Sequence, residues 1–126
     1  MERKVAFARV DGSDVDSAVR RAIDLAGGLE ELITPSSRVL VKPNLWSPQR
    51  SGTGSVTDAR VTEAVTRFVL ERGPARVVIG DGCGAGYDGF SHSTEEAFEL
   101  SGTKDVAARL GVELRNLNAD EFEEVE

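Results

Sequence analysis

Two short apolar runs, Arg38–Val41 and Ala75–Ile79, constrain the fold more than any other feature of this sequence. Each run is rich in β-branched residues and leads directly into a long polar segment that contains glycines. After each polar segment, apolar residues recur at helical spacing. Apolar strands that alternate with amphipathic helices predict an α/β fold with a mostly parallel sheet.

The other segments continue this alternation. Residues 4–10 are β-prone, and residues 15–26 carry apolar side chains at three- and four-residue spacing. Thr57 is a candidate N-cap for the next amphipathic helix. Two further helices are expected over residues 93–110, and a last strand over residues 112–117.

These elements predict one α/β domain over residues 1–117, with the order β-α-β-α-β-α-α-β. The connections are long enough to cross over the sheet, so we expect about four mostly parallel strands with helices on both faces. A chain of 126 residues can bury a core without disulfides. Residues 118–126 form an acidic tail, which we expect to be either disordered or the start of an incomplete element.

Charge and cysteine content argue against several functions. The chain has 22 acidic and 15 basic residues and a net charge of −7, which opposes binding to a nucleic-acid backbone. Its single cysteine, Cys83, leaves no basis for an iron–sulfur cluster or structural zinc. No apolar stretch is long enough to span a membrane, and the start lacks a secretory signal. We therefore expect a cytoplasmic protein with neither nucleic acid nor membrane as a partner.

Polar residues follow the first apolar run, at the strand end where ligands bind in parallel sheets. Lys42 and Asn44 flank a proline there, and a helix is expected to begin near Thr57 and Asp58. An ammonium, a carboxamide and the N–H groups of a helix N-terminus suit a small anionic molecule such as a carboxylate or phosphate. The alternative is that Lys42 is solvated and Asn44 merely begins a turn.

Asp81 and Gly82 occupy the corresponding position after the second apolar run. Asp81 is the candidate catalytic base and the best candidate metal ligand, because carboxylates at strand ends often serve these roles. The alternative is that it caps N–H groups in a turn. Gly82 lies in a glycine-rich loop that would let the backbone approach a ligand closely. The sequence does not identify a cofactor or a metal.

Three further residues have open roles. Cys83 and His92 lie in one loop, as a nucleophile and its base would, but they match no known signature. Cys83 is more typical of a small buried side chain, and His92 of a surface residue. Trp46 either stacks on a ligand or anchors the first loop onto the body of the domain.

An ordered set of motifs resembles the bacterial and archaeal family called domain of unknown function 362. The motifs are Val39-Leu-Val-Lys-Pro-Asn-Leu45, Thr57-Asp-Ala-Arg-Val61, Val77-Val-Ile-Gly-Asp-Gly82, and Thr94-Glu-Glu-Ala-Phe98 followed by Ser101-Gly102. The resemblance runs through nearly the whole chain and identifies it as the N-terminal half of the family domain. It implies an α/β fold and a cytoplasmic setting.

The same resemblance matches the family's polar motifs at Lys42, Asn44, Thr57, Asp58 and Asp81. Many relatives also carry a ferredoxin-like segment with iron–sulfur cysteines, which this sequence lacks. The family supplies no settled activity, so two functions stay open. One is binding of a small anion, with or without catalysis, and the other is a non-catalytic subunit that docks a partner. A domain cut short would leave apolar surface uncovered, which favours a homodimer.

Overall fold

The computed structural model of the protein describes residues 4–84 and 91–121. Four helices and three strands are formed there, and they alternate largely as the sequence predicts. In chain order they are α1 (Val15–Ala26), β1 (Arg38–Val41), α2 (Ala59–Leu70), β2 (Arg76–Asp81), α3 (Ser91–Ser101), α4 (Thr103–Leu110) and β3 (Glu113–Asn116), followed by a 3-10 turn (Leu117–Ala119). Gly86 and Gly89 of the second glycine-rich loop lie outside the described residues.

The three strands form one parallel sheet in the order β1-β2-β3. Val39 pairs with Val77, and Ile79 pairs with Leu114. The predicted α/β class and parallel sheet are therefore confirmed. Strand β2 continues past the predicted end at Ile79, because Asp81 still pairs with Asn116 of β3. This extension places Asp81 inside the sheet rather than in the loop.

Residues 4–10 do not form the predicted first strand, so the described sheet has three strands instead of about four. Val5 and Phe7 are 80% and 86% exposed. A β-prone composition is not sufficient for a strand, because its stability comes mainly from packing against neighbours and from burial. The outer edge of β1 is consequently unpaired among the described strands.

Only one face of the sheet is covered by the described helices. Val39, Val77 and Ile79 pack with α2 and α4 in one apolar cluster. Side chains alternate along a strand, so Leu40 and Val78 lie on the opposite face, where Leu40 is 51% exposed. The expectation of helices on both faces is therefore wrong here. Right-handed crossovers that step in one direction across the sheet place every connecting helix on the same side.

Helix α1 packs on α2 and forms an outer layer. The ring of Phe68 in α2 is buried and contacts two guanidinium groups, with Arg20 at 4.5 Å and Arg72 at 4.7 Å from its centroid. Arg20 also donates two hydrogen bonds, of 2.6 and 2.7 Å, to the carboxylate of Glu71. These contacts hold α1 against α2.

Candidate functional site

The predicted residue Asp81 is the centre of the polar contacts at the carboxyl edge of the sheet. Its side chain is only 3% exposed. One carboxylate oxygen, Oδ2, accepts a hydrogen bond of 2.7 Å from the backbone N–H of Leu45. The other, Oδ1, lies 2.7 Å from Nζ of Lys42. Asp81 thereby ties the loop after β1 to the end of β2.

Lys42 bridges the buried carboxylate and solvent. Its side chain is 56% exposed, although its ammonium touches Asp81. The contact is an ion pair without hydrogen-bond alignment, since Asp81 Oδ1 has no hydrogen-bond partner within the described chain. An ammonium has three N–H donors. Lys42 therefore has donors available for an acceptor outside the protein.

Asn44 and Thr57 lie side by side, although they are 13 residues apart in sequence. The N–H of Asn44 donates to the Thr57 hydroxyl oxygen at 2.9 Å, and the N–H of Thr57 donates to the Asn44 carbonyl at 3.0 Å. Asn44 is exposed and Thr57 is half-buried. These reciprocal bonds bring two of the predicted ligand-binding residues together beside Lys42.

Asp58, rather than Thr57, is the N-cap of α2. Its Oδ1 accepts from the N–H of Arg60 at 2.9 Å, and both of its carboxylate oxygens bind the Arg60 guanidinium. Hydrogen bonding from the Arg60 side chain lowers the pKa of Asp58 below its ordinary value. The N–H of Ala59 donates to Ser51 Oγ at 2.9 Å. The first N–H groups of α2 thus already have partners, so a ligand would find few free donors there.

Gly82 and Cys83 belong to a packed network that directly follows strand β2. Asn118 donates to the Cys83 carbonyl at 2.9 Å and to the Thr94 hydroxyl at 3.1 Å. A Cβ atom on Gly82 would lie 2.4 Å from Asn118 Oδ1, so a side chain at this position would displace Asn118. The Cys83 thiol is buried and donates to the Trp46 carbonyl at 3.1 Å. The interpretation of Cys83 as a small buried side chain is confirmed.

Trp46 contributes to this network through its backbone, while its side chain stays half-exposed. His92 lies in helix α3, and its side chain is outside the described part of the structure.

A cleft of about 310 Å³ runs beside β1, between the strand and α2. Its walls are apolar, and Lys42 and Thr57 line the end of the cleft at the carboxyl edge. The apolar residues that line it come from the strand, from the residue after Lys42 and from α2: Val39, Leu40, Val41, Pro43, Val61, Val65 and Val69. An apolar cleft with a few polar groups at one end is the usual form of a small-molecule site.

A second concavity, of about 300 Å³, lies on the face of the sheet without helices. Leu40 and Val78 form its floor, and arginines surround them. Arg76 is paired with Glu113, and Arg115 with Glu113 at 2.8 Å. These ion pairs reduce its attraction for anions, and neither Lys42 nor Asp81 lines it.

Sequence reasoning missed the residues that join the site together. Leu45 is 1% exposed and supplies the N–H to Asp81, and its isolation as an apolar residue within a polar loop was a usable signal. Asn118 had no such signal, because it stands in an acidic segment. Within residues 4–84 and 91–121, no group of three or more His, Cys, Asp or Glu side chains is arranged to hold a metal ion.

The sequence profile described as "Domain of unknown function (DUF362)" matches residues 39–126, most of the chain. The chain belongs to this family. The match begins within β1 and covers the C-terminal part of this chain, so the description of the chain as the N-terminal half of the family domain is slightly inaccurate. The DUF362 match nevertheless includes Lys42, Asn44, Thr57, Asp58, Asp81 and Gly82.

A relative of this chain, "Thylakoid-associated protein sll1697" from Synechocystis sp. (strain ATCC 27184 / PCC 6803 / Kazusa), is 32% identical to it over 76 residues. The match covers 58% of this chain and 24% of the relative, so the chain spans about a quarter of that protein's length. No solved structure matches the chain. None of the helices in the described ranges is long and apolar enough to cross a membrane.

Proposed function

We propose that this DUF362 domain binds a small anionic molecule at the carboxyl edge of its sheet. The observation that carries the proposal is that Lys42 and Thr57 line the same end of one cleft, and Asn44 is bonded to Thr57. An ammonium, a hydroxyl and a carboxamide donate hydrogen bonds to carboxylate or phosphate oxygens. Asp58 and Gly82 are left out of the proposed contacts, because each is engaged within the protein.

Asp81 has a positioning role in this proposal rather than that of a base. Both of its carboxylate oxygens face groups of the protein, the N–H of Leu45 and the ammonium of Lys42. A catalytic base needs an oxygen directed at the substrate. Because Asp81 offsets part of the charge of Lys42, we expect weak binding, with Kd on the order of 1 mM.

The test is calorimetric titration of the protein with inorganic phosphate and with acetate, before and after Lys42→Met. Lys104→Met is the matched control, because Lys104 is also paired with an acid at 2.7 Å and is 55% exposed. The proposal expects Lys42→Met to weaken binding at least fivefold and Lys104→Met to leave it unchanged. Equal loss in both variants, or no binding to the parent protein, contradicts it.

The second candidate function is self-association through the face of the sheet without helices. The observation that favours it is that Leu40 is 51% exposed on that face, beside half-buried Val78. Light scattering across a range of protein concentrations would show a dimer that Leu40→Asp disrupts. A monomer at every concentration would remove this candidate.

A further inference from the structure

We infer that the anionic ligand carries an apolar chain that lies in the cleft beside β1, so that the site takes a short- or medium-chain fatty carboxylate. This inference rests on the proposed function and adds the class of ligand. In the bound arrangement the carboxylate meets Lys42 and Thr57, and the hydrocarbon chain follows the cleft away from the carboxyl edge.

The walls of the cleft favour a hydrocarbon chain. Val41 and Val69 are buried in the core, but Val61 and Val65 are only half-buried, although they belong to the apolar stripe of α2. The two half-buried side chains face the cleft beside the unpaired edge of β1. Apolar surface of this kind gains free energy when another apolar group covers it.

The polar groups of the cleft favour a ligand that also has oxygen atoms. Lys42 supplies a positive charge at the carboxyl edge, complementary to a carboxylate. Thr62 also lines the cleft, and its hydroxyl is buried without a hydrogen-bond partner among the described residues. Unsatisfied buried hydroxyls are uncommon in folded proteins. One apolar wall with polar groups at one end therefore matches an amphiphile better than an inorganic anion.

The size of the cleft limits the length of the chain. Its volume of about 310 Å³ lies at the lower end of the range for small-molecule sites, which is roughly 300–1,000 Å³. A chain of about six carbons suits such a volume, whereas a long-chain fatty acid would extend into solvent.

The experiment is a calorimetric series with acetate, butanoate and hexanoate on the whole chain, with hexan-1-ol as the uncharged comparison. Each methylene that enters the cleft should tighten binding by up to about fourfold. Lys42→Met should weaken binding of all three carboxylates, and hexan-1-ol should bind more weakly than hexanoate. Val65→Thr, which keeps the side-chain shape and replaces one methyl group by a hydroxyl, should reduce the gain in affinity per methylene but leave acetate binding unaffected.

Val19→Thr in α1 is the matched control, because Val19 is also a half-buried helical valine but does not line the cleft. Val65→Phe is a second variant, which should block hexanoate and spare acetate. Folding of every variant is checked by circular dichroism.

The outcomes separate the two proposals. If acetate binds in a manner that depends on Lys42 but affinity does not rise with chain length, this inference fails and the proposed function stands. If acetate and phosphate do not depend on Lys42, the proposed function fails and this inference fails with it. Hexan-1-ol binding as tightly as hexanoate overturns the inference. The inference is also overturned if the protein forms a dimer that Val65→Thr weakens and that excludes hexanoate. In that case a second copy of the chain would occupy the cleft.

Discussion

Two lysine–carboxylate pairs in this protein have the same distance between Nζ and the carboxylate oxygen, but their surroundings differ. The distance is 2.7 Å both in Lys42–Asp81 and in Lys104–Glu99, and the lysine side chains are 56% and 55% exposed. The acids differ, because Asp81 is 3% exposed and Glu99 is 59% exposed. Exposed pairs contribute little to stability, whereas a buried carboxylate that loses a partner is left without compensation. We therefore expect the Lys42–Asp81 pair to contribute to stability because its acid is buried.

Removal of the acid from each pair should give the largest difference in the free energy of unfolding between the two pairs. Asp81→Ala leaves the buried N–H of Leu45 without an acceptor and removes the hydrogen bond that joins the loop after β1 to β2. We expect a loss of about 3 kcal/mol in the free energy of unfolding. Glu99→Ala should produce no measurable change. Urea unfolding of both variants provides the comparison, and similar losses in the two would show that burial is not the deciding factor.

Removal of the lysine from each pair should also destabilise the Lys42 pair more than the Lys104 pair, but by a smaller amount. Lys42→Met leaves the buried carboxyl group of Asp81 with only the Leu45 N–H as a partner, and we expect a loss of about 1.5 kcal/mol in the free energy of unfolding. Lys104→Met should be indistinguishable from the parent. Thermal unfolding measures both, and a neutral Lys42→Met would mean that the Asp81 pair resembles an ordinary surface pair.

The packing around Gly82 tests whether the buried end of the site is as rigid as the contacts of Asp81 indicate. Gly82→Ala places a Cβ atom 2.4 Å from Asn118 Oδ1 and displaces the hydrogen bonds of Asn118, at an expected loss of about 1 kcal/mol. Gly84→Ala is the control, because its Cβ would meet its nearest atom at 3.9 Å. Urea midpoints of the two variants should differ, and equal midpoints would show that Asn118 adjusts freely.

The smallest expected effect comes from a carboxylate of intermediate exposure. Glu63 is 19% exposed and pairs at 2.7 Å with Arg109 of α4 and with Arg67 of its own helix. Hydrogen bonding, first from Arg109 and then from Arg67, lowers the pKa of Glu63 below its ordinary value. We expect Glu63→Gln to lose about 0.5 kcal/mol at neutral pH.

The sign of its pH dependence follows from that shift. The folded protein holds the proton less tightly than the unfolded chain, so Glu63 stabilises the fold above its unfolded pKa of about 4.5. That stability is lost as the pH falls through the folded-state pKa. Unfolding measured between neutral pH and acid should therefore be less pH-dependent in Glu63→Gln, and parallel curves would contradict the assignment.

Local sequence signals located some elements with their observed bounds. Strand β1 over Arg38–Val41 and helix α4 over Thr103–Leu110 were both predictable, because apolar pattern and flanking glycine or proline mark their ends. Residues 4–10 carry similar β propensity but stay unpaired, since pairing depends on a neighbour that the pattern does not reveal. The covering of a single face depends on the order of strands, which no local pattern contains.

The site was predictable as separate residues but not as an arrangement. Lys42 and Asp81 stand at strand ends, where polar residues are recognisable in sequence. The hydrogen bond from Leu45 to Asp81 joins residues 36 apart, and Asn118 reaches Thr94 from a segment that resembles a tail. Such contacts come from tertiary packing, so sequence spacing does not indicate them. The roles predicted for Gly86, Gly89 and the His92 side chain lie outside the described structure.

The most direct test of the central claim is a nuclear magnetic resonance titration of the isotope-labelled protein with acetate. If Lys42 is the binding cation, backbone amide shifts should saturate together at Lys42, Asn44 and Thr57, while those at Lys104 stay unchanged. In the same titration of Lys42→Met, the saturable shift changes should be absent, and the spectrum should remain that of a folded protein. Equal, non-saturating shifts at Lys42 and Lys104 would contradict the claim, because the two lysines would then respond only as surface charges.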